Sequence, residues 1–398
     1  MSASQPEKST GTFLEVFRVF LGLGLTSFGG PVAHLGYFRE AFVVRRKWLS
    51  DSAYADLVAL CQFLPGPASS QVGMAIGLKR AGYAGMAAAW LAFTLPSALM
   101  LVAFAYGLDA FGEVGGGWVA GLKLAAVAVV AHAVLGMAKS LTPDKERAAI
   151  AALAFIVVAL VSGPVGQVGA ILIGGLIGAV WLKADAPDEV PEHENLAPTV
   201  TPAVAITALT AFFALLIALP AIAEAVPGVR LQLIDGFYRA GALVFGGGHV
   251  VLPLLQAETV ANGLVDPETF LAGYGAAQAV PGPLFTFAAF LGAANSGYTG
   301  AAIALLAIFL PSALLIIGGL KYWDRLRAHP LARRALMGVN AAVVGLLGAA
   351  LYDPVFTQGV TGPLSLSIAV TAFVALGVWK APAWTVVIAT AVVGGVVL

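Results

Sequence analysis

The chain has 398 residues, 60% of them apolar and only 11% charged, whereas soluble proteins run at about 45–50% and about 25%. That balance excludes a soluble globular enzyme. Its 47 glycines and 22 prolines are interspersed among long Ala/Val/Leu/Ile runs, which excludes a solvated disordered chain too, and with 21 basic and 21 acidic residues no net charge draws it toward nucleic acid.

In chain order, Met1–Thr12 is polar, and the apolar stretch from Phe13 is followed rather than preceded by Arg39, Arg45, Arg46 and Lys47. That is the reverse of a cleavable signal, so the first segment is expected to be retained. Phe13–Tyr37 is interrupted at Phe28-Gly29-Gly30-Pro31, and Ser52–Leu78 at Pro65-Gly66-Pro67. Met86–Gly107 and Trp118–Ala138 approach the ~20 residues of a membrane helix; Ala148–Val161 and Val168–Leu182 are shorter. Lys183–Thr201 is a charged, proline-broken linker whose acidic cluster with His193 reads as solvated, with no metal bound. Beyond it, Pro202–Ala223 is a further span. Leu231–Leu255 is interrupted at Phe245-Gly246-Gly247-Gly248, and Pro267–Ala294 at Pro281-Gly282-Pro283. Ala301–Leu320 and Ala335–Leu351 are spans, followed by the shorter Leu364–Trp379 and Trp384–Leu398. The single cysteine, Cys61, allows no internal disulfide and has no ligand-spaced partner for zinc.

These elements repeat. Phe28-Gly29-Gly30 returns as Phe245-Gly246-Gly247, Pro65-Gly66-Pro67 as Pro281-Gly282-Pro283, Gly82-Tyr83-Ala84-Gly85 as Gly297-Tyr298-Thr299-Gly300, and Pro96-Ser97-Ala98-Leu99 as Pro311-Ser312-Ala313-Leu314. The order is kept, so residues 13–182 form one repeat, and residues 202–398 hold a linker helix plus the second. Basic residues fall in opposite loops of the two repeats: after the first breaks and in Lys139–Arg147 in one, in Lys321–Arg334 in the other. Because basic residues mark the cytoplasmic side, the expected fold is an all-α polytopic membrane protein. It has two inverted-topology repeats, Gly/Pro-broken re-entrant helices meeting near the midplane, nine crossings and the C-terminus outside.

Broken backbone at membrane depth is tolerated only where it is buried in protein or lines a wet cavity. Each helix restarting after a break offers free amides and a positive dipole end, which suit an anion. The candidate binding residues are therefore Gly29, Gly30, Pro65, Gly66, Pro67, Ser69, Ser70, Gly246, Gly247, Gly248, Pro281, Gly282, Pro283 and Thr286. The alternative for each break is a plain kink or tight helix packing. Arg239 is the first-ranked cation, since it lies about two helical turns from Gly246, nearer its break than Arg18 is to its own. Arg18, Lys123, His34, His132 and His249 are candidates for a proton or charge relay, with His132 expected inside the bundle, as a relay or as a satisfied core histidine, and Arg18 and Lys123 also readable as snorkelling ends. Gln62, Gln278 and Asn340 line a polar path or join helices, and Glu258 and Asp266 read as a solvated rim. No Gly-x-Ser-x-Gly elbow, His-Glu-x-x-His or Walker loop is present, so neither an enzyme nor a cofactor is expected, and uphill transport needs an ion gradient or exchange.

With His34 and His249 beside them, the paired Phe-Gly-Gly and Pro-Gly-Pro signatures from about Glu15 to Trp384 resemble the chromate ion transporter family in its long, two-domain form. The resemblance implies a multi-pass protein of the bacterial inner membrane that exports chromate without ATP, in exchange with sulfate or coupled to the proton gradient, and so confers chromate resistance. Its partners would be a chromate or sulfate-like oxyanion, the lipid bilayer and, in assembly, a second copy as a homodimer. Transport of another small oxyanion such as sulfate, and a passive anion channel, are the alternatives. Pro31 opposite Gly248, and Ser69-Ser70 opposite Phe285-Thr286, make any shared site asymmetric.

Overall fold

The computed structural model describes residues 11–111, 116–161, 163–183 and 200–398, and their regular structure is helical throughout. Most of the Lys183–Thr201 linker lies outside the described residues. The first repeat comprises α1 (Phe13–Thr26), α2 (Gly30–Arg39), α3 (Asp51–Phe63), α4 (Ala68–Phe111), α5 (Gly116–Leu141), α6 (Lys145–Leu160) and α7 (Pro164–Trp181). After α8 (Pro202–Ala225) the second repeat follows as α9 (Val229–Leu243), α10 (Val251–Thr259), α11 (Pro267–Ala277), α12 (Phe287–Ala328), α13 (Pro330–Ala350), the single turn α14 (Thr357–Gly359), α15 (Pro363–Gly377) and α16 (Ala383–Val397). Starts are set by short polar caps that take an otherwise orphaned amide: Ser50 from Ala53, Asp144 from Arg147 and Asp266 from Thr269. Proline, which lacks that amide, opens α7, α8, α11, α13 and α15.

α4 is not one rod. At Ala81 (φ −141°) and Gly82 (φ +61°) it turns back on itself, so that Gly77 and Gly85 meet backbone to backbone. α12 does the same at Ser296 (φ −139°) and Gly297 (φ +61°), bringing Gly292 against Gly300. Only a residue without Cβ takes the positive φ freely and lets two helix backbones touch, which explains the repeated Gly-Tyr-x-Gly signature. The expected separation of a broken segment ending near Leu78 from a span starting near Met86 is therefore a sharp reversal inside one run of helix.

The reversal settles where the broken elements end. Arg80, at the first turn, bonds Glu15 at the start of α1 (2.9 Å), accepts from Gly11 N through its own carbonyl (3.0 Å) and lies over the Trp48 ring (4.9 Å) between α2 and α3. Both interrupted elements of the first repeat thus leave from and return to one end of the long limb of α4. Those of the second gather at the other end, where Tyr298 packs on Tyr106 (4.7 Å) and Asn295 bonds the Leu264 carbonyl (2.9 Å).

The repeats exchange partners. α5 packs on α15 and α16, and α13 on α6 and α7. In both places glycine allows the approach: Gly121 faces the Thr390 carbonyl, and Gly338 faces Gly174 and Gly178. Among the described residues six helices are long and apolar enough to cross a membrane, which makes this a multi-pass membrane protein. α15 and α16 are apolar but have only 15 residues each, as the shorter segments predicted. Of the six long helices, α8 is the least covered by protein, with 17% of its apolar window buried.

Candidate functional site

A Pro-Gly-Pro turn contains one backbone N–H, that of its glycine, because neither proline has one. Gly66 (φ +123°) donates it to Val244 O (2.7 Å), immediately before the second repeat's Phe-Gly-Gly break. Gly282 (φ +96°) donates to Ser27 O (2.9 Å), immediately before the first. The repeats are thus locked reciprocally, each Pro-Gly-Pro onto the other's break. Each glycine also abuts the repeated Pro-Ser motif across the bundle: a Cβ on Gly66 would strike Ser312 Oγ, and one on Gly282 would stand 2.9 Å from Ser97 Oγ.

Around these locks the described polar side chains are uncharged. His34 is 1% exposed. Its Nε2 lies 3.1 Å from Ser27 O and its Nδ1 3.3 Å from Ser69 Oγ. A carbonyl can only accept, so the neutral ring carries its proton on Nε2 and the Ser69 hydroxyl donates to Nδ1. Ser27, Ser70 and Ser312 keep buried hydroxyls without a partner, as does Thr94. The first helical bond of α4 is Gln71 N to Pro67 O (2.9 Å), so the amides of residues 68–70 precede it. Gln71 itself turns its side-chain amide to Pro65 O (2.7 Å). Buried polar groups are normally satisfied, so this concentration of orphans between the repeats marks a place for a hydrogen-bonding ligand.

Several expected site residues are engaged elsewhere. The Gly66 and Gly282 amides are spent on the locks. The Thr286 hydroxyl donates to Pro283 O (2.7 Å) within its own turn. Gly29 (φ +101°), Gly30, Gly246 (φ +74°) and Gly247 adopt the left-handed conformations that the breaks require, and Gly248 begins a short turn into α10. Asn340 Oδ1 lies 3.5 Å from where a Gly246 Cβ would be. Pro281 and Pro283 are buried, as is Pro67, while Pro65 is partly so.

Arg239 is not a free cation. It is held by Asp235 on α9, and its Nε lies 3.4 Å from Glu258 on α10; burial forces this pairing, since an unpartnered charge off water costs several kcal/mol. Glu258, expected as a solvated rim, is 6% exposed, and Asp266 is the α11 cap. Lys123 reaches Glu268 at 3.8 Å. Arg18 and Gln62 are exposed, as a snorkelling end predicts for Arg18. His132, expected inside, is exposed on α5, whereas His249 Nδ1 meets the buried Tyr274 hydroxyl at 2.9 Å. Asp235, Tyr274, Ser27 and Ser312 escaped the sequence reading. The four-residue spacing of Asp235 and Arg239, which places them on one helix face, and the duplicated Pro-Ser were the available signals.

The family described as Chromate transporter matches residues 14–179 and 231–395, one stretch in each repeat. The chain is 30% identical to the chromate transport protein of Pseudomonas aeruginosa, covering 93% of this chain and 88% of that one. It is 27% identical to the chromate transport protein of Cupriavidus metallidurans (86% and 82%) and 27% identical to a probable chromate transport protein of Synechococcus elongatus (85% and 83%). No solved structure matches. Two family-matched repeats, joined through the motifs that define the site, make this chain a member of the chromate transporter family.

Proposed function

We propose that the protein carries chromate, or a tetrahedral oxyanion of the same charge and shape, out of the cell across the cytoplasmic membrane, driven by an ion gradient or by exchange. The observation that carries this reading is the pair of reciprocal locks, with orphaned hydroxyls and helix-start amides between them. Such neutral donors suit an anion at a helix N-terminus. Among the described residues no unpaired cation stands in this cluster, so the anion is held by hydrogen bonds alone and can be released without breaking an ion pair.

Orientation follows from charge. Arg45, Arg46, Lys79 and Arg80 belong to the end shared by both first-repeat hairpins, and chain continuity brings Lys139, Arg147, Arg333 and Arg334 to the same end. The far end holds Glu224, Asp266 and Glu268 with few basic residues. The positive-inside rule makes the first end cytoplasmic, and the repeats are then inverted, as in many secondary transporters.

The test is uptake of labelled chromate and labelled sulfate into everted membrane vesicles, with and without collapse of the proton gradient. Saturable chromate uptake that falls on collapse is expected. Flux that only follows the chromate gradient would assign a channel, and sulfate uptake without chromate uptake would assign the other oxyanion.

A further inference from the structure

The second repeat holds a buried charge cluster with no counterpart among the described residues of the first. On α9 the Arg239 guanidinium grips Asp235 one turn earlier, and Glu258 on α10 brings Oε1 to 3.4 Å from Arg239 Nε without a formed hydrogen bond. Asp235 is 7% exposed and Glu258 6%, and Asp235 Oδ1 is buried with no partner at all. Gly236 makes the space: a Cβ there would stand 3.3 Å from Glu258 Oε2. Two carboxylates against one guanidinium leave one surplus negative charge in a desolvated place, which is costly unless something neutralises it. α7, α8, α12 and α13 also pack on α9 or α10, and among the described residues the charged group that reaches Glu258 is Arg239, itself held by Asp235.

Resting on the reading of a gradient-driven oxyanion exporter, we propose that Glu258 is the proton-binding group that couples transport, with Asp235 and Arg239 as its positioning pair. Glu258 takes a proton onto its carboxylate from the outer aqueous phase, forming one O–H bond, and the same bond breaks when the proton passes to the cytoplasm as the anion leaves. Arg239 is committed to Asp235, so Glu258 is the carboxylate left to be neutralised. A metal cation is disfavoured, because Arg239 fills the gap between the acids and no cluster of three or more His, Cys, Asp or Glu among the described residues is placed to hold one. The hairpin opens toward the end occupied by Tyr106 and Tyr298, which the charge pattern makes external. Its inner end is Val244, whose carbonyl holds the Gly66 lock, so Arg239 and Asp235 stand on the same helix that leads into the contact between repeats. At the corresponding positions of the first repeat, 217 residues earlier, stand Arg18, Gly22 and Ala41, so the first repeat has no equivalent of this cluster there.

Everted vesicles carrying Glu258→Gln or Asp235→Asn test this with three readouts. These are pH-gradient-driven chromate uptake, exchange of labelled for unlabelled chromate without a gradient, and the carbonyl-stretch band of a protonated carboxyl group in infrared difference spectra of the purified protein. Glu258→Gln is expected to lose gradient stimulation by roughly tenfold or more, to keep exchange, and to lose the infrared band seen in the wild type. Retained gradient stimulation in Glu258→Gln, stimulation by sodium instead of protons, or absence of the band from the wild type would overturn the proposal. Wild-type vesicles that carry no chromate while the band is present and Glu258-dependent would sink the chromate reading and leave the proton site standing.

Discussion

Replacing Gly66 by alanine perturbs the lock in two ways that can be separated. The backbone there has φ +123°, where a side chain costs about 1–3 kcal/mol. The new Cβ would fall on Ser312 Oγ and 2.7 Å from Gln71 Nε2. To clear them the turn must retreat from Val244, and a buried carbonyl left unpaired costs a further ~1–3 kcal/mol. The sum, roughly 2–6 kcal/mol, is a large part of a typical folding free energy of about 5–15 kcal/mol. Thermal unfolding in detergent should therefore show Gly66→Ala less stable by roughly 5 °C or more, with transport lost in step. Adding Ser312→Ala removes the hydroxyl clash and should restore part of the stability, leaving the φ cost. The matched pair Gly282→Ala with Ser97→Ala should recover less, because the Phe93 carbonyl also stands 3.2 Å from the new Cβ and cannot be trimmed. Wild-type stability in Gly66→Ala, or no rescue by Ser312→Ala, would refute the lock as the joint between repeats.

Three further outcomes are expected. His34→Gln should raise the transport Km several-fold with little loss of stability, whereas His34→Leu, which leaves Ser69 unsatisfied, should also destabilise by about 1–3 kcal/mol; unchanged Km in both would make His34 a purely structural residue. Gly338→Leu should disrupt assembly, because a side chain there meets the Gly174 carbonyl and the Gly178 backbone, and a monodisperse, wild-type-like elution profile would count against the exchanged helix packing. Reporters placed in the Lys183–Thr201 linker and between Lys321 and Arg334 should both report cytoplasmic; opposite readings would reject the inverted arrangement.

The chain by itself determined the class, the duplication and the elements. A 60% apolar composition admits little but a membrane protein, and Gly and Pro in matched order announce breaks, since those residues alone change the local backbone rules. The spans and both kinds of break stand where the pattern put them, because helix boundaries depend on local features such as the Ser50 and Asp144 caps or the prolines opening α7 and α13. Contacts between residues 178 and 255 positions apart have no local signature. Only the tertiary structure decided that the Pro-Gly-Pro amides close onto Val244 and Ser27, leaving Ser70 and Ser312, rather than the glycines, as the open donors. It also placed His132 on the surface and closed Arg239 between Asp235 and Glu258. Whether a cation is free to meet an anion is set by the carboxylate that folds against it, and Glu258 reaches Arg239 only because α10 turns back along α9 over Gly236.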